Sequence, residues 1–440
     1  MMRACAVVGL CLACTPELHP APISEPDAAP SETVILVIGC TLRADRLHTY
    51  GNERETSPYI DSLAAGGTRF ERMLSNAPWT RPGIAALTTG IHPLVLEIDD
   101  TGDDVEQERG LSPDVLTLGE RFGQAGFTTV GATANPNINR RFGFAQGFDH
   151  YEDTEAYWRE GMVKWAGEDV VDTFLAMAET VDGPLFGQMV LVDPHRPLDW
   201  LPLRQARLGL YSMTGGSLLD RYDSEVVRVD DALQRLEEGL AELGRSDRVM
   251  VLVGDHGEGL HTPKHAKRAH ARWLYDANLH VPLIFSGPGV AAGHVVEGTV
   301  QSIDVAPTLL EIMGLEGDEQ LQGRSQIAEV RGERSRTRGD EILSATHYGS
   351  VDKARLTTPY WTYIRNYAAD HVLSRGEHEL YLPDDMGQFT DVSDDHPAVV
   401  EALSAQLESQ RESLRADSLR WELEITTEEQ QQLEALGYVD

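Results

Sequence analysis

The sequence predicts an α/β fold: a large, mostly parallel or mixed sheet sandwiched by helices, followed by a small C-terminal α+β subdomain. Three observations carry this. From Thr33 onward, short apolar runs alternate with segments of helical periodicity, the pattern of strands buried on both faces and joined by crossover helices. The runs Thr33–Ile38, Thr128–Ala132, Gly187–Val192, Arg248–Val253 and Val281–Phe285 are aliphatic or β-branched and bounded by Gly, Asp or Pro, as buried strands are. Finally, 440 residues exceed what one hydrophobic core usually supports, so a large domain with a smaller one is expected.

Helix signals lie between the runs. Ser57-Pro58 offers a cap and a proline at the first helical position, and Gly66-Gly67 a stop. Ser112-Pro113 predicts a second helix ending near Gly126. Leu219, Tyr222, Val226, Val229, Leu233, Leu236, Leu240 and Leu243 recur every three or four residues and mark a long amphipathic helix. Asp304 to Gly314 predicts another. Polar, charged residues from Glu319 to Asp340 suggest a boundary. Short strands are expected at Ala354–Thr358, Trp361–Arg365 and Glu379–Leu382, with a helix after Pro397. The main domain thus spans 32–325 and the C-terminal subdomain 340–440.

The N-terminus reads as a targeting segment. Met1-Met2-Arg3 is a positive start, and Ala4 to Ala13 an apolar run too short to span a bilayer. Leu12-Ala13-Cys14 then resembles a bacterial lipoprotein signal: residues 1–13 would be removed, Cys14 lipidated, and 14–31 would form a Pro/Ala-rich linker. The plain alternative is a signal peptide with incidental cysteines. Cys5, Cys11, Cys14 and Cys40 are the cysteines, so Cys40 has no partner if Cys14 carries lipid. The expected location is the bacterial cell envelope, periplasm or outer membrane, with Cys14 as the one tie to a membrane. A net charge of −34 argues against nucleic acid or an anionic membrane surface as partner, because either needs a basic face.

Four segments could carry chemistry. The run through Val253 leads into Gly254-Asp255-His256-Gly257. Open α/β sheets bind ligands beyond the carboxyl ends of their strands, and an oxygen ligand beside an imidazole is part of a metal shell. An isolated Asp-Gly would merely cap a turn; Glu258, His261, His265 and His270 nearby favour a site. Next, Trp79-Thr80-Arg81-Pro82 starts a helix. A hydroxyl there faces free N–H groups suited to phosphate or sulfate and can act as a nucleophile once activated, although Thr at a helix start is most often simply an N-cap. Third, the first strand ends in Gly39-Cys40-Thr41, with Asp45 the nearest acid. Fourth, Asp193-Pro194-His195-Arg196-Pro197 holds His195 out of regular structure, as suits a proton donor.

These segments occur in order with Leu274-Tyr275-Asp276, His280-Val281-Pro282-Leu283-Ile284 and Gly287-Pro288-Gly289. Asn135-Pro136, Phe142-Gly143-Phe144, Gly147-Phe148-Asp149 and the closing Ala435-Leu436-Gly437-Tyr438 add to the series. Together they resemble sulfatases of the alkaline phosphatase superfamily, from Val34 to Tyr438, with 32–325 as the catalytic domain. The resemblance implies one divalent cation, usually calcium, held between acids after the first strand and an Asp-His pair after a later one. Asp255 and His256 fall on the later pair, Cys40 on an acid of the first and Thr41 on its neighbour. A neutral thiol is a poor calcium ligand; as a thiolate Cys40 suits zinc. Thr80 falls on the nucleophile. Threonine cannot give the formylglycine aldehyde of many sulfatases, so no formylglycine is expected. Ile84 stands where that motif closes with Arg, and Gly83 where Ser is usual. His195 and His270 match substrate-side positions and are the proton-donor candidates; Asn135 (often Lys in the family), Arg81 and His265 are the substrate-binding candidates.

Three readings follow. The first is an exported, metal-dependent sulfatase-like hydrolase of sulfate or phosphate monoesters, acting on a sulfated or phosphorylated small molecule or glycan. The second is a catalytically degenerate lipoprotein that binds sugars or a partner through the old cleft, as the changes at Cys40 and Ile84 suggest. The third is a Thr-nucleophile enzyme like phosphoryl or phosphoglycerol transferases.

Overall fold

The computed structural model describes residues 31–98, 107–153, 165–212, 214, 216–260, 268–337, 341–368 and 376–424. The expected signal segment with Cys14, the substrate-binding candidate His265 and the closing Ala435–Tyr438 motif lie outside the described residues.

The centre is a nine-stranded mixed sheet. Its strands are β1 (Thr33–Gly39), β2 (Gly67–Leu74), β3 (Thr128–Thr133), β4 (His150–Glu152) and β5 (Leu185–Leu191). β6 (Val249–Gly254), β7 (His280–Val281), β8 (Leu283–Ser286) and β9 (His294–Gln301) complete it. β1 runs between β5 and β6, parallel to both, and β3 pairs in parallel with β5 and β4. β1, β5 and β6 are buried at every position, which is why their sequences are near-continuous apolar runs, broken in β5 by Gln188, rather than alternating ones. The parallel register brings the carboxyl ends of β1, β3, β5 and β6 to one edge of the sheet, and Cys40, Asn135, His195 and Asp255 all follow those ends.

The Val281–Phe285 run departs from a parallel central strand. It splits at Pro282 into β7 and β8, and β8 lies antiparallel to β6 and to β2. Three strands had no apolar run to announce them: β2 (GTRFERML) and β9 (HVVEGTVQ) expose part of each strand, so their patterns are mixed, and β4 (HYE) is short and partly exposed. Gly67 opens β2 rather than merely stopping the preceding helix.

Helices α1 (Pro58–Ala65), α2 (Thr80–Thr89), α3 (Leu118–Gln124), α4 (Gly167–Ala178), α5 (Leu218–Glu242) and α6 (Val305–Ile312) flank the sheet in two groups. α1 and α4 pack on α5, while α2 packs with α3 and α6. The helix expected from Ser112 starts later. Thr117 and Glu120 form a reciprocal capping box at its head, which satisfies two free N–H groups at once, whereas Ser112 only closes a turn with Asp114.

An antiparallel sheet of β10 (Ile342–Tyr348), β11 (Val351–Thr357), β12 (Thr362–Asn366) and β13 (His378–Tyr381) forms the C-terminal part. Helix α7 (Pro397–Ala416) packs on β11 and β12. Leu74, Trp273, Tyr275, Ile342, Ile364 and Tyr381 make an apolar seam between this sheet and the main body. Within reach of the seam, buried Asp276 binds Arg355 at 2.8 Å and Arg72 at 2.9 Å. The two guanidinium charges outweigh the burial of Asp276 and hold its carboxyl far below the usual range. Among the described residues no helix is long and apolar enough to cross a membrane.

Candidate active site

The site is assembled from the ends of β1, β3 and β6 and the first turn of α2. Thr80 is the first helical residue, and Trp79 holds the cap position without a side-chain cap bond. The plain N-cap reading of Thr80 therefore fails. Its hydroxyl is left for other work: Oγ1 lies 3.3 Å from His256 Nε2 and 3.5 Å from Cys40 Sγ. Asn135 Nδ2 donates to Cys40 Sγ at 3.3 Å and to Thr80 Oγ1 at 3.5 Å. The Asn135 amide is oriented from behind, since its Oδ1 accepts from the Asn137 N–H at 3.0 Å. All four residues are buried.

Asp255 lies beneath them. Its Oδ1 accepts from the Thr41 N–H at 3.0 Å and the His256 N–H at 2.6 Å. Its Oδ2 is buried without a hydrogen-bond partner and stands 3.5 Å from His256 Nε2. Burial pushes the Asp255 carboxyl up to about 7 against these hydrogen bonds. Burial, with the charge of Asp255, also drives the Cys40 thiol well above its ordinary value. Burial and the neighbouring His270 keep His256 neutral. Nδ1 of His256 donates to the Gly257 carbonyl at 2.8 Å, which fixes the tautomer and leaves the Nε2 lone pair facing Thr80 and Asp255.

Two imidazoles line the approach. His270 packs 4.6 Å from the His256 ring and 5.0 Å from the His195 ring, centroid to centroid. Nδ1 of His195 donates to the Arg196 carbonyl at 2.6 Å. His270 Nδ1 meets Glu258 Oε2 at 3.3 Å. Burial alone would raise the Glu258 carboxyl, but the hydrogen bond and charge of His270, helped by His195 and Arg196, outweigh it and lower it. The sequence marked Glu258 only as a neighbour of Asp255; its place two residues beyond His256 was the one signal for this pairing.

Other expectations change. Thr41 was matched to a metal ligand, yet its hydroxyl donates to the Cys40 carbonyl at 2.6 Å and only its backbone N–H serves Asp255. Arg81 was a substrate-binding candidate. It turns inward instead, donating to the carbonyls of Asn137 and Arg109 and stacking 4.0 Å over the Phe142 ring, so it braces the chain behind α2. Asp45 forms a bidentate pair with Arg43 and does not reach the cluster. Ile84 is buried in the main apolar core.

The C-terminal sheet also shapes the site. Thr346 on β10 donates to the Ala271 carbonyl at 2.6 Å, and the Ala271 N–H donates to Pro78 at 2.8 Å. These bonds tie His270 to the segment that enters α2.

The chain matches known proteins in family and in fold. The Sulfatase family model matches residues 32–315, and the model of the N-sulphoglucosamine sulphohydrolase C-terminal region matches 268–413. A Delta 4,5-hexuronate-2-O-sulfatase of Bacteroides thetaiotaomicron is 23% identical over 406 residues, covering 79% of this chain and 81% of that protein. Human arylsulfatase K is 28% identical over 170 residues, 37% of this chain; the match spans only 30% of that protein's length. Among solved structures, one in complex with D-glucosamine-2-N,6-O-disulfate superposes with a TM-score of 0.72 at 17% identity, covering 88% of this chain and 99% of the other. The phosphonate monoester hydrolase of Agrobacterium radiobacter gives 0.69 at 18% identity, covering 89% and 96%. With the family model spanning most of the chain over a sheet edge that gathers Cys40, Thr80, Asn135, Asp255 and His256, the chain belongs to the sulfatase family.

Proposed function

We propose that this chain is an exported hydrolase of sulfate or phosphate monoesters, on a small molecule or glycan, with Thr80 as the attacking group. The observation that carries the reading is the Thr80 hydroxyl. It is freed from capping, set at a helix start and placed 3.3 Å from the lone pair of a neutral histidine. The positive end of that helix favours the anionic group of the ester, which matters in a chain of net charge −34.

The residues do not fit the calcium that the resemblance implies. Calcium takes about six to eight oxygen ligands, and among the described residues Asp255 is the one carboxylate grouped with the thiol and the imidazole. The steps that follow therefore use side chains alone. Thr80 Oγ bonds to sulfur or phosphorus as the bond to the departing alcohol oxygen breaks, with His256 Nε2 the nearest acceptor for the Thr80 proton. His270 or His195 gives a proton to the departing oxygen. Threonine has one oxygen to offer, so water must then open the Thr80 ester by attack at sulfur or phosphorus. The structural neighbour solved with D-glucosamine-2-N,6-O-disulfate supports a sulfated glycan as substrate. Lipid attachment at Cys14 belongs to the same reading.

The second reading, a degenerate binding protein, draws on the buried apolar Ile84 and the neutral thiol of Cys40. A panel of aryl and sugar sulfates, phosphates and phosphonates separates the two. Hydrolysis that falls at least a hundredfold in Thr80→Ala supports the enzyme. An inert protein that still binds a sulfated sugar supports the alternative.

A further inference from the structure

We propose that Cys40, Asp255 and His256 form a zinc site in which Cys40 is a thiolate ligand, its thiol proton being released to solvent as the metal binds. The inference shares its location with the proposed active site, but it does not require that site to be a working hydrolase.

The donor set is the first argument. One sulfur, one imidazole nitrogen and one carboxylate oxygen lie within 4.8 Å of one another, all on buried residues. Zinc takes four donors drawn from these three types, whereas an all-oxygen shell is what calcium needs.

The spacing is the second. Four ligands placed tetrahedrally at about 2.0–2.3 Å from zinc stand about 3.3–3.8 Å apart. Asp255 Oδ2 is 3.5 Å from His256 Nε2. Thr80 Oγ1 is 3.3 Å from that same Nε2 and 3.5 Å from Cys40 Sγ. Three edges of the tetrahedron are thus already set. The Thr80 oxygen stands at the fourth corner, the exchangeable position that a catalytic zinc keeps open.

The third argument is what surrounds each donor. Asp255 Oδ1 is occupied by two backbone N–H groups, while Oδ2 is buried with no partner. His256 Nδ1–H is fixed on the Gly257 carbonyl, the outer-shell bond that orients a zinc-binding imidazole. Asp255 and His256 thus each keep one atom for a metal while the other is held by the backbone, and Cys40 Sγ is steadied by the Asn135 amide at 3.3 Å. Zinc takes over the Nε2 lone pair that otherwise faces the Thr80 hydroxyl, so His256 can accept the Thr80 proton only in the metal-free site.

Purified protein stripped with a chelator, then equilibrated with zinc and a large excess of calcium, is expected to retain one zinc per chain and no stoichiometric calcium. Cobalt in place of zinc should show an intense sulfur-to-metal charge-transfer band in the near ultraviolet, lost in Cys40→Ser. Cys40→Asp should lose the band and gain calcium binding. If either variant fails to fold, the cobalt spectrum of the unaltered protein still decides. Stoichiometric calcium with zinc excluded, or a cobalt complex without the thiolate band, overturns the inference. A protein that holds zinc yet hydrolyses no ester leaves it standing and removes the hydrolase reading; a hydrolase that carries calcium instead does the reverse.

Discussion

Gly83 and Asp255 touch where no side chain fits: a Cβ at position 83 would stand 2.8 Å from the Asp255 carbonyl oxygen. That carbonyl cannot easily retreat, because Ser75 Oγ donates to it at 2.5 Å. The contact sets how far helix α2 advances toward the end of β6, and so sets the distance from Thr80 to His256.

Gly83→Ala should therefore push the helix back. The expected loss is about 1–3 kcal/mol of stability, as for other overpacked sites, with zinc affinity at least tenfold lower. Denaturant unfolding and competition with a chromophoric chelator measure the two. Unchanged zinc affinity would mean that the helix position does not govern the cluster.

Tyr222 holds the Cys40 turn from the other side. Its hydroxyl donates to the Thr41 carbonyl at 2.5 Å and accepts the Arg43 N–H at 3.0 Å, while Thr41 sits at a φ of 58° that threonine seldom adopts. Tyr222→Phe leaves two buried backbone groups unpaired, each costing about 1–3 kcal/mol. A lower midpoint in denaturant and a weaker cobalt thiolate band are the expected results. A band of full strength in the variant would show that the turn keeps its shape unaided.

Asp230 predicts a pH dependence away from the site. Its carboxylate accepts the N–H groups of Ile60 at 2.8 Å and Tyr59 at 3.1 Å at the start of α1. Burial still raises its pKa from 3.8 to about 6. The folded chain holds this proton longer than the unfolded one. The stabilisation is thus complete below pH 4 and is lost as pH rises through about 6, a change of at most about 3 kcal/mol. Asp230→Asn should flatten thermal stability across that window. A slope that survives in the variant belongs to other groups.

Much of this was legible in the sequence because it is local. β1, β5 and β6 are buried on both faces and so read as apolar runs, and α5 shows its stripe at every turn. Asp255-His256 and Thr80 were visible because strand ends and helix starts are marked by Gly and Pro. β2 and β9 were not, since partly exposed strands carry mixed residues that resemble loops. Arg81 misled for a related reason: nothing in its neighbours tells whether a guanidinium points to a cleft or, as here, to Asn137 and Phe142 behind the helix.

The sequence by itself determined the α/β class and the family resemblance, and it set a cysteine at position 40 and a threonine at position 80, where that resemblance implies an acid and the attacking group. Only the tertiary structure decided that these residues meet. Cys40, Thr80, Asn135 and His256 are separated by 40, 55 and 121 positions along the chain, and the parallel register of β1, β3 and β6, not any local preference, brings their ends to one edge. The structure alone also decided that Thr80 is free of its cap, that Glu258 sits under His270 and that Thr346 of the C-terminal sheet braces the same loop. Such contacts are set by how layers pack, and packing leaves its mark on distances rather than on neighbouring residues.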